Sequence, residues 1–125
     1  MAPYSGSIRP DVLELAPGHA RVAIADRRAL RNPFASVHAA ALANLGELTS
    51  GLAVWTLMPP ALRGIITSLV VRFGKKARGR LVAEARVTLP TVTAPCDHEV
   101  LAVIRDADGD VVAEVAVVWR LDLRP

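Results

Sequence analysis

The chain has 125 residues, 52% of them hydrophobic and only 4% aromatic, so it can build a core from small aliphatic side chains and is excluded from the disordered and fibrous classes. Fifteen basic residues against twelve acidic ones give a formal net charge of +3, but both signs are spread through most segments, which argues against nucleic acid as a partner. The single cysteine, Cys96, excludes an internal disulfide framework and fits a reducing, cytoplasmic setting, and residues 1–10 lack the cationic stretch and apolar core of a secretory signal.

In chain order, Asp11–Ala16 and Ala20–Asp26 are short apolar stretches around Pro17-Gly18, the pattern of a hairpin. After a polar stretch, Ser36 can cap a helix whose Val37, Leu42, Leu45, Leu48, Leu52 and Trp55 keep helical spacing, and Pro59-Pro60 stop it. The apolar run from Ala35 to Met58 approaches membrane-spanning length, but His38, Asn44 and Glu47 are each costly in lipid. A helix buried in protein, with no membrane insertion, is therefore expected. Four strand-like segments follow: Gly64–Phe73, Gly79–Leu89, Cys96–Arg105 and Val111–Leu121. In the second of these, Leu81, Ala83, Ala85, Val87 and Leu89 alternate with Arg80, Val82, Glu84, Arg86 and Thr88, the period of a sheet with one buried face. The order strand, strand, helix and four strands predicts one α+β domain over residues 1–125, a curved antiparallel sheet around a central helix. That helix, apolar almost all round, is expected to be enclosed. Trp55 and Trp119 read as core, and Val70, Val82 and Val100 as outer-face positions open to solvent or to a second interface.

Several motifs carry no chemistry. Asp106-Ala-Asp108-Gly-Asp110 resembles a calcium loop, but Val117 stands where the closing Glu is needed, so it reads as a hairpin turn. Cys96 and His98 lack companions for a zinc site, and no metal or resident cofactor is expected. There is no nucleophile elbow, phosphate loop or dinucleotide fingerprint.

The segment Asn32-Pro-Phe-Ala-Ser-Val-His38-Ala-Ala-Ala-Leu42-Ala-Asn-Leu-Gly-Glu47 resembles the hotdog-fold acyl-CoA thioesterases of the phenylacetic-acid-degradation type. Those proteins show an Asn, a His-Gly-Gly six residues on, and an acidic helix residue nine residues after that His. Asn32, His38 and Glu47 keep the spacing, while Ala39-Ala40 replaces the glycine pair and Glu47 the usual Asp. Ser36 to Leu42 and Lys75 to Gly79 look closer still to a hotdog subgroup without assigned activity. The resemblance implies a hotdog fold, an acyl-CoA or acyl-carrier thioester as substrate with coenzyme A as part of it, and a homodimer or homotetramer.

Helix geometry bears on the motif separately. Nine residues turn the chain by about 900° and advance it about 13 Å, so His38 and Glu47 face opposite ways and cannot serve one reacting atom within a subunit. Two helices running antiparallel across a twofold axis would bring Glu47 of one copy to the His38 end of the other.

The Ala39 N–H, in the first helical turn, could then hold a thioester carbonyl. Glu47 would act as base or nucleophile, its pKa raised by burial, with His38 and Asn32 as positioning groups. The plainer alternatives are an ion pair of Glu47 with Arg63 or Arg72, a helix-capping His38 and a turn-forming Asn32. Lys75, Lys76, Arg78 and Arg80 form a basic turn suited either to coenzyme A phosphates or to solvation of a hairpin end. Thr67 and Ser68 lie where relatives carry a polar strand residue, and alternation would allow only one of them to reach the site. Acyl-CoA hydrolysis, non-catalytic acyl-CoA binding and a scaffold role all remain open at this point.

Overall fold

A computed structural model describes residues 9–25 and 39–125, so Asp26, Asn32, Ser36 and His38 lie outside the described residues. The elements are β1 (Asp11–Ala16), β2 (His19–Ile24), α1 (Ala39–Trp55), β3 (Leu62–Phe73), β4 (Leu81–Arg86), β5 (Cys96–Arg105) and β6 (Val111–Leu123). All strands pair antiparallel in one curved, unclosed six-stranded sheet of order β1-β2-β4-β5-β6-β3, with α1 packed on its inner face. This is the expected hotdog architecture. β5 matches its predicted bounds, while β3 and β6 begin or end two residues beyond theirs because Leu62 pairs with Leu123. β4 is shorter than expected, losing its pairing beyond Arg86.

The hairpin turn after β1 is fixed by glycine. Gly18 has φ 74°, and a Cβ there would meet the Val87 carbonyl oxygen at 2.5 Å, so no side chain fits. Its N–H donates to Thr56 Oγ1 at 2.8 Å and its carbonyl accepts from the Val87 N–H at 2.7 Å, which ties this turn to the end of α1.

The core lies between α1 and the sheet. Leu42, Leu45, Ala53 and Val54 are buried against Val22, Ala83, Ala85, Val100, Val115 and Val117, each large side chain contributing about 1.5–3 kcal/mol by leaving water. The alternation expected in β4 holds, with Leu81, Ala83, Ala85 and Val87 inward. Val100 is a correction: its pairing with Val117 turns it into the core, whereas Val70 is exposed and Val82 half-buried. Thr49 and Ser50 are buried polar groups that are satisfied, Thr49 Oγ1 donating to the Leu45 carbonyl at 2.7 Å and Ser50 Oγ accepting from Trp119 Nε1 at 3.0 Å.

The expectation that α1 is enclosed all round is corrected as well. Its sheet-facing side is covered, but Ala39, Ala40, Glu47 and Trp55 are exposed, so its outer side has no cover among the described residues. Trp55, expected in the core, is 68% exposed. No helix among the described residues is long and apolar enough to cross a membrane.

Gly46 sets the seat of the helix. A Cβ there would meet Val115 side-chain carbons at 2.4–2.7 Å, so the helix backbone rests directly on β6. Gly46→Ala is expected to destabilise the chain by about 1–3 kcal/mol despite alanine's better helix propensity. Urea denaturation of the two proteins measures the difference.

Candidate active site

Because Gly46 faces β6, the next residue is turned about 100° away from the sheet, and Glu47 projects from the uncovered side of α1. The described residues therefore do not supply the burial expected from the sequence. Among the described residues no cation pairs with Glu47, and Arg63 is engaged elsewhere, Nη2 lying 3.6 Å from Asp122 Oδ2. The structural ion pair foreseen as the plainer role of Glu47 is thus absent from the described residues. Ala39 stands exposed at the first described position of α1, about 12 Å along the helix from Glu47 at standard rise. Its amide and the Glu47 carboxylate cannot meet one reacting atom inside a single chain.

The sheet beneath α1 ends in β3, an edge strand paired, among the described residues, with β6 alone. β3 is twelve residues long and exposes Ile65, Val70 and Phe73, an unusual liability for a free sheet edge. A bulge between Ile66 and Ser68 inserts Thr67 as an extra residue. Strict alternation therefore fails here: both Thr67 and Ser68 are exposed, and Thr67 Oγ1 lies 3.5 Å from the Val118 carbonyl. Ser68 pairs with Val118, and Ile66 with Trp119 on the helix side.

Between the end of α1 and the start of β3 lies a slot of about 340 Å³, bordered by Gly51, Val54, Trp55, Met58, Gly64 and Trp119, with Arg63 and Arg124 at its rim. The sequence reading did not find it. Its one visible signal was Gly51, a glycine inside a helix one turn beyond Glu47.

The basic turn is split by its neighbours. Ala77 is buried in the core and anchors the turn, while Lys75, Lys76 and Arg78 are exposed. Lys75 Nζ lies 2.8 Å from Asp106 Oδ2 and 3.0 Å from Asp110 Oδ2, so two carboxylates already neutralise it. That pairing weakens its candidacy as a phosphate ligand. The Asp106–Asp110 loop is the expected hairpin turn: the Asp106 N–H donates to the Asp110 carbonyl, and Asp106 Oδ1 accepts from the Asp108 and Asp110 amides at 3.0 and 3.1 Å. The carboxylates of Asp106, Asp108 and Asp110 cluster within 4.8 Å, with Lys75 supplying the opposing charge.

The hydrogen bond from Lys75 holds the Asp106 carboxyl below the usual carboxylate range. A carboxyl depressed in the folded state stabilises the fold fully above its unfolded pKa of about 3.9, and that contribution disappears as pH falls through the lower folded value. Asp106→Asn, which keeps an amide-accepting oxygen, should be less stable than the wild type at pH 7, with the gap closing below about pH 3–4. Urea midpoints across a pH series provide the check.

A family model described as "Domain of unknown function (DUF4442)" matches residues 1–121. No curated protein matches the chain in sequence. Among solved structures, a structural-genomics target is 30% identical with TM-score 0.90, the alignment covering 98% of this chain and 82% of that one. A Pseudomonas aeruginosa protein described as a probable thioesterase is 23% identical with TM-score 0.89, covering 98% and 89%. A phenylacetic acid degradation-related protein from Ralstonia eutropha is 18% identical with TM-score 0.78, covering 96% and 91%. The fold is that of hotdog thioesterase-family proteins.

Proposed function

Since the chain belongs to the family described as Domain of unknown function (DUF4442) and has the hotdog fold of thioesterase-family proteins, we propose that it hydrolyses acyl-CoA thioesters at a site shared by two copies. The observation that carries this reading is the exposed Glu47 on the uncovered side of α1, in a chain whose sheet ends in the long edge strand β3. Among the described residues that carboxylate has no ion-pair partner. If β3 of one copy pairs antiparallel with β3 of another, the two helices run antiparallel, and the Ala39 end of one lies beside Glu47 of its partner. Two equivalent sites result, each closed off from water only by the second copy, which would provide the burial that the single chain lacks.

In such a site the Ala39 N–H, in the first turn of the helix, holds the thioester carbonyl oxygen. Glu47 takes a proton from a water molecule, the hydroxide oxygen bonds to the carbonyl carbon, and negative charge moves onto the held oxygen. The carbonyl re-forms as the carbon–sulfur bond breaks, releasing coenzyme A thiolate, which is protonated by solvent or by Glu47. His38 and Asn32 orient the substrate end of the site, Ser68 or Thr67 lines it from β3, and Lys76 and Arg78 face the coenzyme A phosphates.

Glu47→Gln is expected to reduce thiol release from a panel of short, medium, long and aromatic acyl-CoAs by about 10²-fold or more. Because the substitution keeps the side chain's shape and Glu47 makes no ion pair among the described residues, the unfolding free energy from urea denaturation should change by about 0.5 kcal/mol or less. Undiminished hydrolysis in the variant contradicts the assignment. Ala39-Ala40 in place of the glycine pair favours a second reading, a non-catalytic acyl-CoA or acyl-carrier binding domain. In that case acyl-CoA raises the melting temperature without being consumed.

A further inference from the structure

Two glycines in α1 have opposite reasons to be there. Gly46 is dictated by packing, since any Cβ would overlap Val115. Gly51 is not: a Cβ there would meet only the Trp119 ring, at 3.8 and 3.9 Å, an ordinary contact distance. Glycine inside a helix is less stable than alanine, so a glycine that its own chain's packing does not require has another use. Gly51 lies one turn beyond Glu47, about 6 Å along the axis, and it forms the near wall of the slot between α1 and β3. Across that slot the strand also carries a glycine, Gly64, where a Cβ would crowd Met58, Leu121 and Trp119 at 3.0–3.3 Å. The slot is therefore open because two facing positions lack side chains. Its other lining residues are Val54, Trp55, Met58, Leu62 and Trp119, with Arg63 and Arg124.

We propose that this slot receives the acyl group of the thioester bound at Glu47 of the same chain, and that the absence of a side chain at Gly51 sets the bulk it admits. This rests on the thioesterase reading for the position of the carbonyl. The slot's volume of about 340 Å³ is roughly twice that of a ~150 Å³ cavity able to hold benzene, and two tryptophans, Trp55 and Trp119, are among its lining residues. It suits a compact, ring-bearing acyl group better than a long straight chain. Gly51 is thus a specificity-determining residue: a side chain there occupies the space that the first ring atoms beyond the carbonyl need.

The test compares wild type, Gly51→Ala and Gly51→Leu on two readouts. In hydrolysis, the ratio of kcat/KM for benzoyl-CoA to that for acetyl-CoA should fall about tenfold or more in Gly51→Leu, and less in Gly51→Ala. Gly51→Ala should also melt at a higher temperature than wild type, which shows that the position tolerates a Cβ. In binding, the non-hydrolysable thioether phenacyl-CoA should raise the wild-type melting temperature more than coenzyme A does, and Gly51→Leu should erase that difference. An unchanged kcat/KM ratio overturns the proposal, as does the absence of any difference between the two ligands in wild type. A uniform loss with both esters together with dissociation of the oligomer also overturns it, because Gly51 would then serve close approach of a second helix. Absence of hydrolysis with the binding difference intact removes the thioesterase reading and leaves the slot assignment standing.

Discussion

The contact between α1 and β6 is the constraint from which the rest of the structure follows. Gly46 lets the helix backbone settle on Val115, and one turn later Ser50 accepts a hydrogen bond from Trp119, so the helix is fixed in both height and rotation on the sheet. Rotation matters most. With Gly46 and Ser50 turned inward, Glu47 and Gly51 necessarily face outward or along the flank, and the same registration holds Trp119 beneath Gly51. A single packing choice thereby creates both a carboxylate aimed away from its own core and an apolar slot one turn beyond it.

The same choice leaves the chain unfinished. One side of α1 and the free edge of β3 are contiguous, apolar in part and without cover among the described residues. Isolated exposed apolar residues are common, but a twelve-residue edge strand beside an exposed tryptophan is a surface that proteins normally pair or protect. A second copy related by a twofold axis satisfies both edges at once, and the proposed chemistry needs the same partner for a different reason: the carbonyl-holding amide and the acid are too far apart along one helix.

Much of this was legible in the sequence. The order of elements, the inward residues of β4 and the Asp106–Asp110 turn follow from period, turn residues and side-chain chemistry, which act locally. The Asn32, His38 and Glu47 spacing pointed to the hotdog fold, although Asn32 and His38 lie outside the described residues. What local pattern could not give was set by tertiary contact. The bulge at Thr67 broke the alternation on which the choice between Thr67 and Ser68 depended. Trp55 was misplaced because its helical phase points past the end of the sheet, and Val100 because register rather than composition decides its face. Lys75 read either as a phosphate ligand or as solvation of a hairpin end, and its pairing with two carboxylates of the β5–β6 turn, more than thirty positions away, was not visible in local sequence. The slot at Gly51 required knowing that Gly64 lies across from it.

The central claim is that each site draws Glu47 from one chain and the Ala39 amide from another. Complementation between two inactive proteins tests it most directly. Ala39→Pro removes the amide hydrogen at a helix start, where proline is tolerated, and Glu47→Gln removes the base. Equal amounts of the two variants, unfolded and refolded together, form mixed dimers in which shared sites leave one complete pair and one doubly defective pair. Thiol release should then recover to about a quarter of the wild-type rate, since half the dimers are mixed and each carries one intact site. No recovery in a preparation shown to contain mixed dimers would place both groups in the same chain's site and contradict the account.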